Sequence, residues 1–248
     1  MESAGRVVAV NHVGVSVADL ERARRFWVDG LSALEHGAFA WPIGTAPADE
    51  SLATEGTAAE VILLRTDAAF MELFAFSSPA PERRSAGAPG VTRLVWAAAD
   101  ADATHDRAIE AGGTSLGGHQ VRCPDGTSVT LVPADGVSGL VGVVVQVPDR
   151  ESQALPPVPG PVAVEVVGGA DTPAARPVDL GVNHLCLDAI GIDGVRRSLD
   201  AVWHHDVTES SGGVAAVCYG TTYDGVLVEL LESRSPDAFL SRTRLAHP

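Results

Sequence analysis

The sequence predicts an α+β fold built from repeated strand–helix–strand units. Three observations support this prediction. The chain has 248 residues and a hydrophobic content of 46%, which suffices for a packed core in one large domain or two small ones. Apolar, strand-like segments that lead into acidic, helix-like segments recur along the chain. The strands that close these units recur as well, which indicates a repeat architecture.

The repeats are visible as matching short motifs. An Asn-His-apolar start opens two units, and a Gly-Val start is common to two. An Asp-Gly turn feeds two of the closing strands, as in a hairpin or loop-to-strand turn. The opening motifs are residues 11–13, 90–94 and 181–185, and the closing motifs are residues 71–74, 125–132 and 224–231.

The motifs divide the chain into units that match the repeat to different degrees. The boundaries are 1–84 for the first unit, 90–136 for a degenerate second unit, 137–177 for a degenerate third unit or connector, 178–236 for the fourth unit and 237–248 for the tail. The third segment is strand-like and has no helix between its strands. The tail is expected to form a short helix and a frayed end.

Individual elements follow from periodicity and capping residues. The alternating run at 7–17 predicts a half-buried strand, and Asp19 is a plausible N-cap for a helix over 20–31. Residues 37–57 are rich in Gly, Pro and Ala, so we expect a long loop. In the fourth unit the pattern predicts a helix over 193–203.

Composition excludes several classes of function. The basic residues are 17 arginines without lysine against 32 acidic residues, which gives a net charge of −15. We therefore expect no nucleic-acid and no membrane partner, and no mechanism through a lysine Schiff base or P-loop lysine. The three cysteines are far apart, which is typical of reduced thiols, and the sequence shows no leader or membrane span. These features predict a cytoplasmic protein.

Two histidines and two glutamates recur at equivalent places in the first and fourth units. The side chains of His12, Gly14 and Ser16 share one face of the first strand, opposite a set of valines. Glu72 and Glu229 each stand in an apolar closing strand, where a carboxylate is costly to bury without compensation. The set His12, Glu72, His184 and Glu229 offers two nitrogen and two oxygen ligands, which suits one divalent ion of Fe, Mn, Co, Ni or Zn. The alternative is that these four are unrelated structural residues.

Four segments together resemble the vicinal oxygen chelate superfamily, which includes glyoxalase I, methylmalonyl-CoA epimerase, extradiol dioxygenases and bleomycin-resistance proteins. The segments are NHVGVSVADLERARRFWVDGL, MELFAFSSP, NHLCLDAIGIDGVRRSLDAV and YDGVLVELLES. The likeness is good over 6–84 and 178–236, weaker over 90–135 and nearly absent over 137–176. It implies βαβββ modules paired into cup-shaped mixed sheets around a metal. It also implies the ligands His12, Glu72, His184 and Glu229, in the arrangement of bacterial-type glyoxalase I.

The second module departs from that family pattern. It carries Arg93 where the ligand histidine is expected and Thr130 where the glutamate is expected. Either the site of the first module is incomplete, or the first module pairs with the fourth while the second and third form a scaffold. We favour pairing of the first with the fourth, since it reunites all four ligands.

The resemblance implies a metal-dependent enzyme acting on a small molecule, as a monomer or homodimer. A fourth protein ligand favours isomerase or lyase chemistry, with Glu72 or Glu229 as the base that moves a proton next to a carbonyl. One alternative is an Fe(II) or Mn(II) ring-cleaving dioxygenase using His12, His184 and Glu229. Another is a metal-free protein that binds a drug or natural product.

Several other residues are weaker candidates. The hydroxyl and imidazole groups of Tyr223, His204 and His205 could support the site or simply be solvated. Arg93 could bind a substrate carboxylate or form a salt bridge. Two pairs of aromatic residues are also candidates. We expect Phe26 and Trp27 in the core, whereas Phe39 and Trp41 stand in a loop that is either a pocket wall or a passive connection.

Overall fold

The computed structural model describes residues 5–45, 47–151, 155–210 and 215–233. The elements are arranged as two mixed sheets with a few short helices. The strands are β1 (Arg6–Ser16), β2 (Leu34–Trp41), β3 (Ala58–Arg65), β4 (Phe70–Ser78), β5 (Gly90–Ala98), β6 (Thr114–Gly117), β7 (Gln120–Arg122), β8 (Ser128–Pro133), β9 (Gly139–Gln146), β10 (Ala163–Val167), β11 (Gly181–Ile190), β12 (Ala201–Trp203), β13 (Thr208–Glu209), β14 (Ala215–Thr222) and β15 (Leu227–Ser233). The helices are α1 (Leu20–Arg24), α2 (Ala48–Ser51), α3 (Ala101–Glu110) and α4 (Ile192–Ser198).

The first sheet joins the two ends of the chain. Its strand order is β12-β14-β15-β11-β1-β4-β3-β2, with β13 paired to β14. At its centre β1 runs antiparallel to β11, while β4 and β15 run parallel to their neighbours β1 and β11. The expected pairing of the first module with the fourth is therefore confirmed.

The second sheet is the scaffold that this pairing requires. Its order is β10-β9-β5-β8-β7-β6, and β5 runs antiparallel to β9 as β1 does to β11. The degenerate third segment thus supplies two real strands, which pair in parallel. The module limits drawn from the sequence stay a prediction.

Alternation along β1 buries one face against the core and leaves the other for the site. Val13 and Val15 are fully buried in a continuous hydrophobic core that also includes Phe26, Trp27 and Trp96. The rings of Trp27 and Trp96 lie 5.7 Å apart between the first helix and the second sheet. The expected core role of Phe26 and Trp27 is therefore confirmed.

The first helix begins where the capping residue predicts. The Asp19 side chain accepts a hydrogen bond from the backbone N–H of Arg22 at 2.9 Å, which satisfies a free donor of the first turn. Beyond α1 the chain continues as a π-helix over Arg25–Gly30. This wider turn contains both Phe26 and Trp27, and it ends near the predicted boundary.

The prediction of a loop over 37–57 is wrong for two stretches, 37–41 and 48–51. Strand β2 occupies Leu34–Trp41 and α2 is a short helix at Ala48–Ser51. Because β2 is the edge strand of its sheet and most of it is exposed, neither of its faces needs the alternation that marks a half-buried strand. The backbone pairing with β3 forms this strand, not a hydrophobic pattern.

The helix predicted over 193–203 is too long. Helix α4 ends at Ser198, Leu199 is extended with φ −93° and ψ 127°, and Ala201–Trp203 form β12. Pairing of β12 with β14 outweighs the helical periodicity of this stretch. The short strands β6 and β7 were not predicted, and the tail 237–248 lies outside the described residues.

The cysteines are Cys123, Cys186 and Cys218, and all three are buried free thiols.

None of the described helices combines the length and the apolar character needed to cross a lipid bilayer.

Candidate metal centre

Four neighbouring strands of the first sheet bring the predicted ligands together. The register of β1 against β11 sets Gly14 opposite His184 and His12 opposite Cys186. The parallel strand β4 places Glu72 beside Gly14, and β15 places Glu229 beside Cys186. All four predicted residues therefore lie on the same face of the sheet, two from each end of the chain.

The ligand atoms lie within bonding range of one point. The two Nε2 atoms are 3.1 Å apart. The Glu229 Oε2 atom lies 3.0 Å from Nε2 of His12 and 3.4 Å from Nε2 of His184. The Glu72 Oε2 atom lies 3.4 Å and 3.9 Å from the same two nitrogens. His12, His184 and Glu229 form the tightest group, with one ligand atom from each within 4.8 Å of the others.

These distances fit a bound transition metal ion. Two ligand atoms that are each about 2.1 Å from one ion lie about 3.0 Å apart at a right angle and about 3.4 Å apart at a tetrahedral angle. Four of these five distances match the expected values within about 0.1 Å, and only the 3.9 Å distance between Glu72 Oε2 and His184 Nε2 does not. Moreover, Glu229 Oε2 is a buried oxygen without a well-formed hydrogen bond. Such an atom is costly unless a cation lies against it.

The charges of the site also favour a cation. Burial alone would lower the pKa of His12, but Cys186 and the carboxylates of Glu72 and Glu229 outweigh it and raise this pKa well above the ordinary value. Burial would raise the pKa of Glu229, yet contacts with His12 and His184 lower it well below the ordinary value. In the metal-free protein a proton on His12 therefore supplies the positive charge that the carboxylates require.

The two glutamates differ in their access to solvent. The side chain of Glu229 is 5% exposed, whereas that of Glu72 is 15% exposed and lies at the open side of the cluster. Glu229 is thus fixed within the site. Glu72 is the more accessible of the two carboxylates.

Tyr219 is a site residue that the sequence interpretation missed. It lies opposite Glu229 in the β14–β15 pair, and its ring centroid is 5.6 Å from that of His184. Burial, followed by the charges of Glu229 and Glu72, raises the pKa of its hydroxyl, which hydrogen-bonds Glu229. A hairpin centred on the Asp224-Gly225 turn would have placed it there, since 219 and 229 are equally far from 224.

The weaker candidates lie away from the cluster or have other partners. Tyr223 is 78% exposed. Both ring nitrogens of His204 are within hydrogen-bond distance of oxygens, at 2.7 Å from the carbonyl of Ser51 and 2.9 Å from Thr221 Oγ1. The ring of His205 is 6.0 Å from that of Tyr219 and contacts the Ser51 hydroxyl at 3.3 Å.

The residues that replace ligands in the second module are in the other sheet. Arg93 is on β5 and pairs with Ser128, while Thr130 on β8 pairs with Val95. Phe39 and Trp41, which the sequence placed in a loop, lie on β2, and their rings stack 6.0 Å apart. Trp41 packs against the small core that contains Phe74 and Phe76, so its side chain covers part of one face of the first sheet.

Comparisons with known proteins agree with this architecture. Glyoxalase I from Zea mays superposes with a TM-score of 0.64 at 13% identity, with 98% of each chain covered. A Bacillus subtilis protein assigned provisionally as a dioxygenase superposes with a TM-score of 0.61 at 9% identity, covering 98% of this chain and 91% of that one. The CppA protein of Streptococcus pneumoniae gives 0.53 at 10% identity, covering 92% and 98%.

At such identities these likenesses establish the fold alone. No curated protein sequence is significantly similar to the chain. Residues 9–135, just over half of the sequence, match a family described as the Glyoxalase/Bleomycin resistance protein/Dioxygenase superfamily. The sequence match and the vicinal oxygen chelate fold lead to the same conclusion: the chain belongs to this superfamily.

Proposed function

We propose that the protein is a divalent-metal-dependent isomerase or lyase that moves a proton on a small oxygenated metabolite. The observation that carries the proposal is the convergence of two imidazole nitrogens and two carboxylates, one of them at the open side. His12, His184 and Glu229 would hold the ion, with Glu72 as the fourth ligand. When bound, a divalent ion supplies Lewis-acid polarisation of a carbonyl and offsets negative charge on its oxygen.

Glu72 is the residue that we assign as the base. Its carboxylate is more accessible than that of Glu229, so a substrate oxygen can take its place beside the imidazoles. The freed carboxylate then removes a proton from the carbon next to the carbonyl, and the electron pair of the broken C–H bond moves towards the carbonyl oxygen. Return of that proton to the former carbonyl carbon, with transfer of the hydroxyl proton of the first carbon to the former carbonyl oxygen, completes the isomerisation of a hydroxycarbonyl compound.

Glu229 and Tyr219 have a supporting part in this proposal. Glu229 stays in place because it is buried and lies against both imidazoles. The Tyr219 hydroxyl hydrogen-bonds this carboxylate and stays protonated, since its pKa is raised well above the ordinary value. It therefore serves as a proton-bearing group beside the reacting oxygens.

The cavity beside the site suits a small substrate. It has a volume of about 120 Å³ and is lined by His184, His204, Thr221, Leu52 and Leu227, among others. This space suits a metabolite of a few carbon atoms.

A second function is favoured by one specific observation. The tightest ligand group consists of two histidines and one carboxylate, the set used by non-haem Fe(II) oxygenases that leave positions open for substrate and oxygen. On this reading Glu72 is a neighbour and not a ligand, and the protein cleaves a catechol or hydroquinone ring.

One set of measurements tests these proposals. We expect the purified protein to contain close to one divalent ion per chain, and Glu72→Gln to keep the ion while losing turnover. Anaerobic exchange of solvent deuterium into the carbon next to the carbonyl of a small hydroxyketone would support proton transfer. Oxygen uptake with a catechol or hydroquinone panel would support the dioxygenase instead. Tight ligand binding without metal or turnover would point to a binding protein.

A further inference from the structure

The residue before each site histidine is an asparagine, and these are the only two asparagines in the 248 residues. Asn11 precedes His12 and Asn183 precedes His184. Neighbouring residues on a regular strand point to opposite faces. An asparagine should therefore be unable to contact the imidazole that follows it, unless the strand is irregular at that point.

Both asparagines lie at irregular points of the central strand pair. Val10 pairs with Leu187 and His12 with Cys186, so Asn11 is an extra residue on β1. Likewise, Asn183 is an extra residue on β11, between the paired positions of Val182 and His184. A bulge sets two residues of one strand against one of its partner and turns a side chain from its regular direction. The site histidines thus follow two bulges related by the pairing of the modules.

The bulges bring each amide into contact with the next imidazole. The distance from Asn11 Oδ1 to His12 Nδ1 is 2.9 Å, and that from Asn183 Oδ1 to His184 Nδ1 is 2.7 Å. An amide oxygen only accepts hydrogen bonds, so Nδ1 of each ring must donate. The hydrogen on Nδ1 leaves the lone pair of a neutral ring on Nε2, the atom at the centre of the cluster.

The orientation of each amide is set by its other end. Asn11 Nδ2 donates to Asp188 Oδ1 on β11 at 2.9 Å. Asn183 Nδ2 donates to Ser16 Oγ on β1 at 2.9 Å, and Ser16 in turn donates to the carbonyl of Pro177. Each asparagine therefore orients the histidine of its own module while its amide nitrogen is held by the opposite module.

The second sheet contains the same bulge without this chemistry. Thr92 is the extra residue on β5, directly before Arg93, as Asn183 is before His184. Its hydroxyl faces the carbonyl of Val144 at 3.5 Å. The bulge thus occurs in the scaffold too, while asparagine at a bulge is found only in the two strands that carry the imidazoles.

From these contacts we propose that Asn11 and Asn183 are positioning residues for the metal centre. They hold the hydrogen of each ring on Nδ1 and direct both Nε2 lone pairs to one ion. Because each asparagine amide is held by a hydrogen bond to the opposite module, the site takes this form only when the first and fourth modules are paired. The inference rests on the proposed metal-dependent function. Its first test, however, needs no metal.

The first test is nuclear magnetic resonance of the metal-free protein with ¹⁵N-labelled histidine. We expect both rings, assigned through His12→Gln and His184→Gln, to show a slowly exchanging hydrogen on Nδ1. In Asn183→Ala the Nδ1 hydrogen of His184 should exchange rapidly or move to Nε2, while Asn183→Asp, which keeps an acceptor, restores it. A wild-type His184 with its hydrogen on Nε2 would overturn the inference.

The second test is the affinity for Zn²⁺ or Co²⁺, measured by competition with a chelator. Removing a partner that orients a metal-bound histidine typically weakens binding by 10–100-fold. We expect a loss of that order in Asn11→Ala and Asn183→Ala, and recovery to within a few-fold in Asn183→Asp. Thr92→Ala, at the matching bulge, should bind as the wild type does. Unchanged affinity in both alanine variants would contradict the inference.

The two tests distinguish failure of the positioning role from failure of the proposed metal function. If the wild type shows Nδ1 hydrogens on both rings but binds neither ion, the asparagines orient the histidines and the proposed metal function fails. If the ions bind and the hydrogens are on Nε2, the metal function stands and the positioning role fails. Thermal unfolding of each variant identifies any that are misfolded. If an alanine variant is misfolded, Asn183→Asp is compared with the wild type instead.

Discussion

The two sheets share one strand arrangement but differ in residue type at three of four equivalent positions. In each, a pair of antiparallel strands at the centre is flanked by two parallel neighbours. Matching the registers gives the same four positions in both sheets. They are occupied by His12, Glu72, His184 and Glu229 in the first sheet and by Gly142, Glu165, Arg93 and Thr130 in the second.

The difference shows that this strand arrangement does not require the candidate metal ligands. The second sheet pairs and packs with Gly142 in the place of His12, and a Cβ there would lie only 3.1 Å from Val95 Cβ. Glu165 keeps the carboxylate type of Glu72 but is exposed, and Arg93 offers no neutral nitrogen. On the proposed function, the first sheet would carry the chemistry and the second would contribute packing, and these two roles can be tested separately.

The largest expected effect is a loss of stability caused by a substitution in the second sheet. Trp96 on β5 is almost completely buried, and its Nε1 donates to the carbonyl of Leu31 at 3.0 Å. We expect Trp96→Ala to lower the free energy of unfolding by about 3–5 kcal/mol, because it leaves a large cavity. Urea unfolding measures the loss. The folded variant should still bind metal, and a loss below about 1 kcal/mol would mean that Trp96 is not a core residue.

The next effect is on metal affinity, from the site side. His184→Ala removes an imidazole ligand, so we expect Zn²⁺ binding to weaken by more than about 100-fold, beyond the loss caused by removing an orienting partner. Arg93→Ala changes the equivalent residue of the second sheet and serves as the control. Chelator competition measures both. Similar affinities in the two variants would remove the distinction between the sheets.

A smaller effect is expected at the glycine between the histidines. A Cβ at Gly14 would overlap the His184 ring and the Asn183 amide oxygen. Overpacking of this kind typically costs 1–3 kcal/mol, so Gly14→Ala should weaken metal binding by about tenfold. The equivalent residue of the second sheet already has a side chain, Val144, and Val144→Ala should leave metal affinity unchanged. Wild-type affinity in Gly14→Ala would show that the His184 position tolerates displacement.

The smallest effect is a pH dependence of the metal-free protein. The pKa of His12 is raised in the folded state, so its contribution to stability is fully present below the unfolded value of about 6.5 and is lost as the pH rises through the folded value. The difference in free energy of unfolding between the wild type and His12→Gln should therefore shrink with rising pH. A difference that grows over this range would contradict the assigned shift.

The sequence predicts the repeat and places the four candidate ligands because both leave local signals. The Asn-His starts and the isolated glutamates of MELFAF and VLVELL stand out in apolar strands, and strand alternation places them on one face. The edge strand β2 leaves no such signal, since its backbone pairs without burying a face. The strand β12 has a helical pattern and forms only because β14 lies beside it.

The remainder of the site depends on register, which a single strand does not specify. Tyr219 becomes a site residue only when the β14–β15 hairpin is aligned about its turn. The contacts of Asn11 and Asn183 require two bulges, each caused by one extra residue in a pair of strands distant in sequence. These features come from the pairing of strands, so they were found in the structure and not in the motifs.

The central claim is that one divalent ion binds where the two ends of the chain meet. Anomalous diffraction from crystals soaked in Co²⁺ or Zn²⁺ tests it most directly, because the signal locates the ion without assumptions about the protein. We predict one peak at about 2.1 Å from Nε2 of His12 and of His184 and from a Glu229 oxygen. A peak elsewhere, or none at saturating ion, would contradict the claim.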